Sequence, residues 1–194
     1  LREDTLLISI MAVNNETGVI QPINEIIEII KDHDCYFHVD AAQMYGKDID
    51  TLSNKRIDLI SISGHKVFGP KGIGALVTRL RNFNKPPLQP LFFGGGQQAK
   101  LRPGTLPVHL IVGLGTAAKI AKKNLKKRQE QNKKIYDQII KLMKSLNGNL
   151  NGDEKYLLGN CINFSIPTVD AEAFMLTTKD LISISNGSAC TCLL

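Results

Sequence analysis

Apolar runs separated by polar turns divide the chain into alternating predicted strands and helices. The run TLLISIMAV at residues 5–13 predicts a buried strand, and Pro22 is suited to the first turn of the helix that follows. Isoleucines then recur at helical spacing, and three further strand-like runs come after them: CYFHV (35–39, ending at Asp40), IDLISIS (57–63) and GIGALVT (72–78). This order predicts an α/β fold whose mostly parallel sheet is covered by helices on both faces.

The pattern changes after residue 81. A loop-rich stretch with prolines and three consecutive glycines spans 82–107, and a long helical segment runs over 108–146. A strand over 160–166, a helix over 170–180 and a strand over 181–185 are predicted last. We therefore expect residues 1–118 to form part of a larger α/β domain. Residues 119–194 would form a long basic helix and part of a smaller α+β domain.

Composition and charge exclude several classes of protein and indicate where a partner could bind. The 194 residues are 43% hydrophobic and 22% charged, which excludes collagen-like and disordered classes. The net charge of +6 is concentrated in residues 119–134, where eight basic residues stand beside one acidic residue. Such a stretch is either a solvated helix face or a surface for an acidic partner. Direct nucleic-acid binding is not expected, because the rest of the chain is close to neutral.

Neither a membrane span nor a disulfide framework is predicted. The longest apolar stretch, 106–118, is shorter than the roughly 20 residues that a spanning helix needs. No signal peptide is visible. The four cysteines lack a C-x-x-C pair, so no metal site is expected, and their use fits a reducing compartment. Cys35 and Cys161 lie in apolar runs and should be core residues.

The segment Ser61-Ile62-Ser63-Gly64-His65-Lys66 directly follows a predicted strand. In open α/β sheets, ligands bind at the carboxyl ends of strands. A desolvated lysine there becomes a nucleophile for carbonyl groups, and Ser63 and His65 could donate to a phosphate. The alternative is a solvated loop lysine before a turn.

Other polar residues stand at the ends of neighbouring strands. Asp40 could hold a protonated ring nitrogen and Gln43 could donate to a nearby oxygen, although Asp40 could equally cap a helix. Asn15 lies in the loop NNETG, which turn chemistry alone explains. Cys190 has small neighbours that would leave its thiol accessible, or it is a small buried apolar residue.

The functional interpretation of these residues gains support from their predicted place at one edge of the sheet. Asn15, Asp40, Ser63, His65 and Lys66 would all meet at one edge of a parallel sheet. A lysine, an acid for a ring nitrogen and donors for a phosphate are the set that pyridoxal phosphate requires.

Six segments in order along the chain resemble one enzyme family. They are NNETG (14–18), HVDAAQ (38–43), SISGHKVFGPKGIGAL (61–76), GGGQ (94–97), LRPGTLPVHLIVGLG (101–115) and NGSACT (186–191). Together they closely resemble the NifS/IscS-type cysteine desulfurases, which are fold-type I, class V aminotransferase-like enzymes that use pyridoxal phosphate. The family is about twice as long, so the resemblance implies a fragment.

The resemblance implies a role for each matching residue. Lys66 would bind the cofactor covalently, Asp40 would pair with its ring nitrogen and Gln43 would bond its phenolic oxygen. Ser63 and His65 would hold the phosphate, and Thr105 would reach the phosphate of the partner subunit in a homodimer. Asn15 would help to hold the substrate carboxylate, and Cys190 would accept sulfur from the substrate. No metal ligands are implied, although Cys190 could contact an iron–sulfur cluster during transfer.

The implied reaction converts L-cysteine to L-alanine and leaves a persulfide on Cys190. A protein acceptor, such as a cluster scaffold or a thiolation protein, would take the sulfur for iron–sulfur cluster assembly, tRNA thiolation or DNA phosphorothioation. The phrases LRPGTLPVHLIVGLG and ISNGSACT look somewhat like the phosphorothioation branch. Cys192, where the family usually has serine, could resolve the persulfide or be incidental. A cytoplasmic or organellar matrix location is expected.

Two alternatives remain open from the sequence. The chain could be another pyridoxal-phosphate-dependent lyase or aminotransferase, which would have no use for the Cys190 thiol. It could also be an inactive truncated fragment that acts only through interactions, for example between its basic helix and an acidic partner.

Overall fold

The computed structural model describes residues 1–187, and these residues divide into two compact units. Unit 1 comprises Leu1–Ala12 and Gln21–Leu125, and unit 2 comprises Val13–Ile20 and the described residues from Lys126 onward. The last of the three passages between the units, at 125/126, lies within a long helix, seven residues after the domain boundary predicted at 118/119. That boundary remains a prediction about the domains of the whole protein.

Unit 1 is built on a four-stranded sheet. Its strands are β1 (Leu7–Met11), β2 (Tyr36–Asp40), β3 (Leu59–Ser63) and β4 (Gly74–Thr78), in the order β1-β2-β3-β4. The first three strands are parallel, and β4 pairs antiparallel with β3. The mostly parallel sheet expected from the sequence is therefore confirmed.

Two helices accompany this sheet. Helix α1 (Ile23–Ile30) begins directly after Pro22 and buries Ile23, Ile27 and Ile30, the stripe that its spacing predicts. Helix α2 (Val108–Ser145) has the bounds expected from the sequence within one residue, and it follows a stretch whose one short helix is a 3-10 turn at Gln98–Lys100.

Burial differs between the two faces of the sheet. On β2, Phe37 and Val39 are fully buried, whereas the alternate residues on the other face are half-buried. The expectation of a buried strand at 5–13 is wrong for β1, because Leu7 and Met11 are 49% and 43% exposed and Ile8 and Ile10 on the other face are only half-buried. The face that carries Leu7 and Met11 also carries polar groups on β2 and β3.

A buried acid stabilises the amino-terminal end of β3. Asp58 is 4% exposed, and its Oδ2 lies 3.0 Å from Nη1 of Arg56 and 2.6 Å from Nη2 of Arg81. The same oxygen accepts a hydrogen bond from the backbone N–H of Phe37 at 2.8 Å. Arg56 also donates to the backbone oxygens of residues 30, 33 and 35 at the end of α1 and the start of β2. This network joins α1, β2 and β3 at the edge opposite to the strand ends that carry the candidate site.

Two glycines near the start of α2 have different surroundings. A Cβ at Gly113 would lie 2.5 Å from Cγ of Pro70, whereas a Cβ at Gly115 would meet nothing within 4 Å. Gly113 therefore allows α2 to approach the turn that contains Pro70. The low helix propensity of glycine would by itself predict only that both residues weaken the helix.

Alanine substitutions should separate these two effects. Gly115→Ala should stabilise the protein by about 0.5–1 kcal/mol, because alanine loses less conformational entropy in a helix. Gly113→Ala should be less stable than Gly115→Ala by roughly 1–3 kcal/mol, because its methyl group meets a rigid proline ring. Urea denaturation of the two variants measures this difference, and equal midpoints would contradict the packing of Gly113 on Pro70.

Unit 2 contains a loop from the amino-terminal part of the chain. Val13–Ile20 is held by residues 156–163: Ile20 N–H donates to the Tyr156 oxygen at 2.7 Å, and Leu158 N–H donates to the Gly18 oxygen at 3.0 Å. The Cys161 thiol donates to the Glu16 oxygen at 3.1 Å. The thiol is only partly buried, so the prediction of a core cysteine is wrong for Cys161, whereas Cys35 is fully buried as expected.

The elements predicted for the rest of unit 2 are confirmed only in part. A short hairpin-like sheet pairs β5 (Asn149–Leu150) with β6 (Phe164–Ser165), so only two residues of the strand predicted at 160–166 are in a sheet. Helix α3 (Ala171–Thr178) is confirmed, with Asp170 accepting from Ala173 N–H at 2.8 Å. The strand predicted at 181–185 is wrong, because these residues pair with no strand in the described part of the chain.

Within residues 1–187, no helix is both long enough and apolar enough to cross a membrane.

Candidate functional site

The candidate site lies where β2 and β3 end. The register pairs Asp40, the last residue of β2, with Ser61 of β3. Ser63 is two residues further along β3, so it lies on the same face of the sheet as Asp40. A rise of about 3.3 Å per residue and a strand separation of about 4.8 Å place the Cα atoms of Asp40 and Ser63 about 8 Å apart. The structure thus brings both residues to one edge, as the sequence predicted.

Lys66 lies on a short 3-10 helix, Gly64–Val67, that begins directly after β3. Val67 anchors this segment, because it is buried together with Ala117 and Ala121 of α2. Gly46 also lies against Val67, because a Cβ at Gly46 would be 2.5 Å from Cγ2 of Val67 and 3.2 Å from Cβ of Ala121. Lys66 itself is exposed, so the described residues do not provide the desolvation that the sequence led us to expect.

Asp40 and Gln43 each have one local partner. Oδ1 of Asp40 accepts a hydrogen bond from Ala42 N–H at 2.9 Å, so the carboxylate caps the turn after β2, and no α-helix follows there. Oε1 of Gln43 accepts from Nζ of Lys47 at 3.1 Å. This contact directs the amide so that its NH₂ group is the end left to donate to a ligand oxygen. Lys47 was not singled out from the sequence.

Ser63 and His65 contact each other. The Ser63 hydroxyl lies 3.0 Å from Nδ1 of His65. A hydroxyl and an imidazole at the end of a strand can both donate to the oxygens of an anion. Their arrangement is therefore compatible with the phosphate-binding role that the resemblance implies.

The structure describes two of the three remaining predicted site residues. Thr105 is exposed in the loop that precedes α2. Asn15 is exposed in the loop that belongs to unit 2, where Oδ1 of its neighbour Asn14 accepts from the N–H groups of Glu16 and Thr17 at 2.9 Å. Cys190, together with Cys192, lies outside the described residues.

His38 is a feature that the sequence analysis did not identify as functional. Its Nδ1 lies 2.7 Å from Oγ of Ser9 on β1, and its Nε2 lies 3.1 Å from Oγ of Ser61 on β3. Burial lowers the pKa of His38, and the nearby carboxylate of Asp40 opposes this effect without reversing it. The spacing in the HVD segment could have identified His38, because residues two apart in a strand share a face of the sheet and Asp40 was already a candidate site residue.

A cavity of about 420 Å³ lies on the other face of the sheet in unit 1. Its strand residues are Ile60 and Ile62 of β3, which alternate with Ser61 and Ser63, and Val77 of β4, which pairs with Ile60. Its lining is mainly apolar and includes Ala121 of α2. We place the candidate site at the strand ends, because the titratable and polar groups converge there.

A family model and curated proteins match the chain along its length. The model of the family described as "Aminotransferase class-V" matches residues 1–194. The chain is 45% identical over 192 residues to the mitochondrial cysteine desulfurase of Saccharomyces cerevisiae, an alignment that covers 98% of this chain and 38% of that protein. It is also 45% identical to cysteine desulfurase IscS of Rickettsia bellii, with 98% of this chain and 46% of that protein covered.

Solved structures share the fold. The crystal structure of DndA from Streptomyces lividans is 49% identical in sequence and has a TM-score of 0.85, with 93% of this chain and 51% of that chain covered. A structure described as SspA in complex with cysteine is 38% identical with a TM-score of 0.74 and covers 98% of this chain and 52% of that one. The chain thus spans about half the length or less of the proteins that it matches. A match along the whole chain, together with the strand-end lysine and acid, shows that the chain belongs to the class-V aminotransferase family.

Proposed function

We propose that the protein is a pyridoxal-phosphate-dependent cysteine desulfurase, and that this chain carries much of its cofactor site. The observation that carries the proposal is the position of Lys66 directly after β3, at the edge where Asp40 and Ser63 end neighbouring parallel strands. The identities of 42–45% to proteins named as cysteine desulfurases support the same activity.

The described residues fit pyridoxal phosphate by the chemistry of their side chains. Asp40 presents a carboxylate to a protonated ring nitrogen, and Gln43 presents an amide whose oxygen is already engaged by Lys47. Ser63 and His65 can donate to phosphate oxygens, while Lys66 provides a primary amine on an anchored turn. When bound, pyridoxal phosphate supplies an electron sink for bonds at the α-carbon of an amino acid.

Two residues of the chain would take part directly in the reaction, one by taking a proton and the other by taking sulfur. Nζ of Lys66 would take the proton from the α-carbon of L-cysteine, and Sγ of Cys190, as a thiolate, would attack the substrate sulfur. The carbon–sulfur bond of the substrate breaks and a sulfur–sulfur bond forms. The balance is L-cysteine and the Cys190 thiol giving L-alanine and a Cys190 persulfide, with no external oxidant or reductant.

Substrate binding and sulfur transfer require groups beyond the strand-end residues described above. We propose that Asn15 helps to hold the carboxylate of L-cysteine, and that Thr105 reaches the cofactor phosphate of a partner subunit in a homodimer. A protein acceptor in the same reducing compartment would take the persulfide sulfur. The solved complex of SspA with cysteine supports L-cysteine as the substrate class.

The first test is the visible absorption spectrum of the protein mixed with pyridoxal phosphate. Lys66→Ala should lose the protein-bound absorption band completely, because no other amine occupies this position on the strand-end turn. Lys71→Ala is the matched control, since Lys71 is exposed five residues further along the same segment and should leave the band unchanged. A band that survives Lys66→Ala would overturn the role of Lys66.

The Cys190 role separates a desulfurase from other enzymes that use the same cofactor. Cys190→Ala should abolish sulfide release from L-cysteine and leave the absorption band intact. Release that persists in this variant would contradict the persulfide role. Loss of both the release and the band would show that Cys190 affects the cofactor site instead.

A further inference from the structure

His38 lies at the centre of a hydrogen-bonded row that crosses three parallel strands. Ser9 on β1 contacts Nδ1 at 2.7 Å, and Ser61 on β3 contacts Nε2 at 3.1 Å. Both ring nitrogens are therefore engaged, and the ring cannot rotate without losing both contacts. The row runs directly below the strand-end carboxylate, because Asp40 follows His38 by two residues on the same face.

An uncharged imidazole suits this row. A neutral ring donates through one nitrogen and accepts through the other, and a serine hydroxyl can take either part. Burial lowers the pKa of His38, and the attraction of Asp40 for the charged form only reduces this shift. The imidazole is therefore neutral near pH 7, although it stands beside a carboxylate.

Asp40 is the charged neighbour that affects the titration of His38. The flanking positions on β1 are Leu7, Ser9 and Met11, and those on β3 are Leu59, Ser61 and Ser63, none of which ionises. Tyr36 shares the face, and the guanidinium of Arg81 lies 4.7 Å from the centre of its ring. His65 and Lys66 follow the end of β3, beyond Ser63.

We propose that His38 is a positioning residue that acts through Asp40: the two serines hold it as an uncharged ring, which leaves the Asp40 carboxylate to pair with the protonated ring nitrogen of the cofactor. This inference rests on the proposed function. A charged His38 would compete for the same carboxylate and would repel the cationic ring. Cofactor binding and protonation of His38 therefore oppose each other.

The coupling can be measured without cofactor. The imidazole of His38 is titrated by NMR in the wild-type protein and in Asp40→Asn. The wild-type pKa should lie below the usual histidine range. The pKa in Asp40→Asn should be lower still, because the carboxylate that favours the charged form is gone. An unchanged titration of His38 in Asp40→Asn would show that the two side chains are not coupled, and that result would overturn the inference.

A second arm measures pyridoxal phosphate affinity against pH from the visible band. Wild type should lose up to about tenfold in affinity per pH unit below the pKa of His38, beyond any loss in His38→Asn, whose side chain does not titrate. His109→Asn is the control, since His109 is an exposed histidine on α2 and should keep the wild-type profile. Parallel profiles for wild type and His38→Asn would overturn the inference.

The two arms distinguish the inference from the proposed function. If wild type forms no Lys66-dependent band at any pH, the proposed cofactor is wrong and the positioning role falls with it. The NMR arm then still decides whether His38 and Asp40 are coupled. If the band forms but Asp40→Asn leaves the titration of His38 unchanged, the function stands and the inference fails.

Discussion

Asp58→Asn should lower the free energy of unfolding by about 3–5 kcal/mol, because it leaves two arginines without their shared carboxylate. Arg56 and Arg81 have side chains only 16% and 27% exposed, so water cannot replace the lost partner effectively. Urea denaturation followed by circular dichroism measures the loss. The site should be spared in whatever fraction stays folded, since this network lies at the opposite ends of the strands.

Asp4→Asn is the matched control for this substitution. Asp4 also pairs with an arginine, Arg2, at 2.9 Å, but the two side chains are 84% and 73% exposed. Exposed ion pairs contribute little, so the urea midpoint of this variant should equal that of wild type. Equal midpoints for Asp58→Asn and Asp4→Asn would show that burial of the Asp58 cluster does not matter to stability.

Gly46→Ala should be the other strongly destabilising change, and it should also weaken cofactor binding. Gly46 has a φ of +77°, which costs an alanine about 1–2 kcal/mol. The new methyl group would also lie 2.5 Å from Cγ2 of Val67, a side chain that is stiff at χ1 and is backed by Ala121. Overpacking adds roughly 1–3 kcal/mol and displaces the turn that carries Lys66.

Gly159→Ala isolates the backbone part of this effect. Gly159 has nearly the same φ, +79°, but a Cβ there would meet nothing within 4 Å. The difference between the urea midpoints of the two variants measures the packing of Val67 against Gly46. Pyridoxal phosphate affinity should fall in Gly46→Ala and stay unchanged in Gly159→Ala. Identical behaviour of the two variants would remove Val67 as the anchor of the Lys66 turn.

Much of unit 1 could be predicted from the sequence because its signals are local. The four apolar runs form strands, and the isoleucine spacing forms α1 over Ile23–Ile30. The position of Lys66 after β3 also follows from a local pattern, since a buried run ends there and a polar turn begins. The strand ends of a parallel sheet share an edge, which is why Asp40 and Ser63 could be grouped before the structure was known.

The failures concern contacts between segments distant in the sequence. The run LISIS at 181–185 has the composition of a strand, but a strand forms only where a neighbour accepts its hydrogen bonds, and composition carries no information about neighbours. Asp58 was not singled out from the sequence, and its burial depends in part on Arg81, an arginine 23 residues further along the chain. The row from Ser9 through His38 to Ser61 depends on register, which the sequence does not encode locally.

The attachment of Val13–Ile20 to residues 156–163 has a consequence for synthesis on the ribosome. The contact between the Cys161 thiol and the Glu16 oxygen spans 145 positions along the chain. At roughly 5–20 residues per second, the amino-terminal loop emerges about 7–30 seconds before its partners do. During that interval β1 can join the nascent sheet, while the loop that carries Asn15 has none of its final hydrogen bonds to residues 156–163. The proposed substrate-binding loop after the first strand therefore takes its final form only after residues 156–163 have been made, and a nascent chain that ends before residue 156 carries the strands of the sheet without that loop in place.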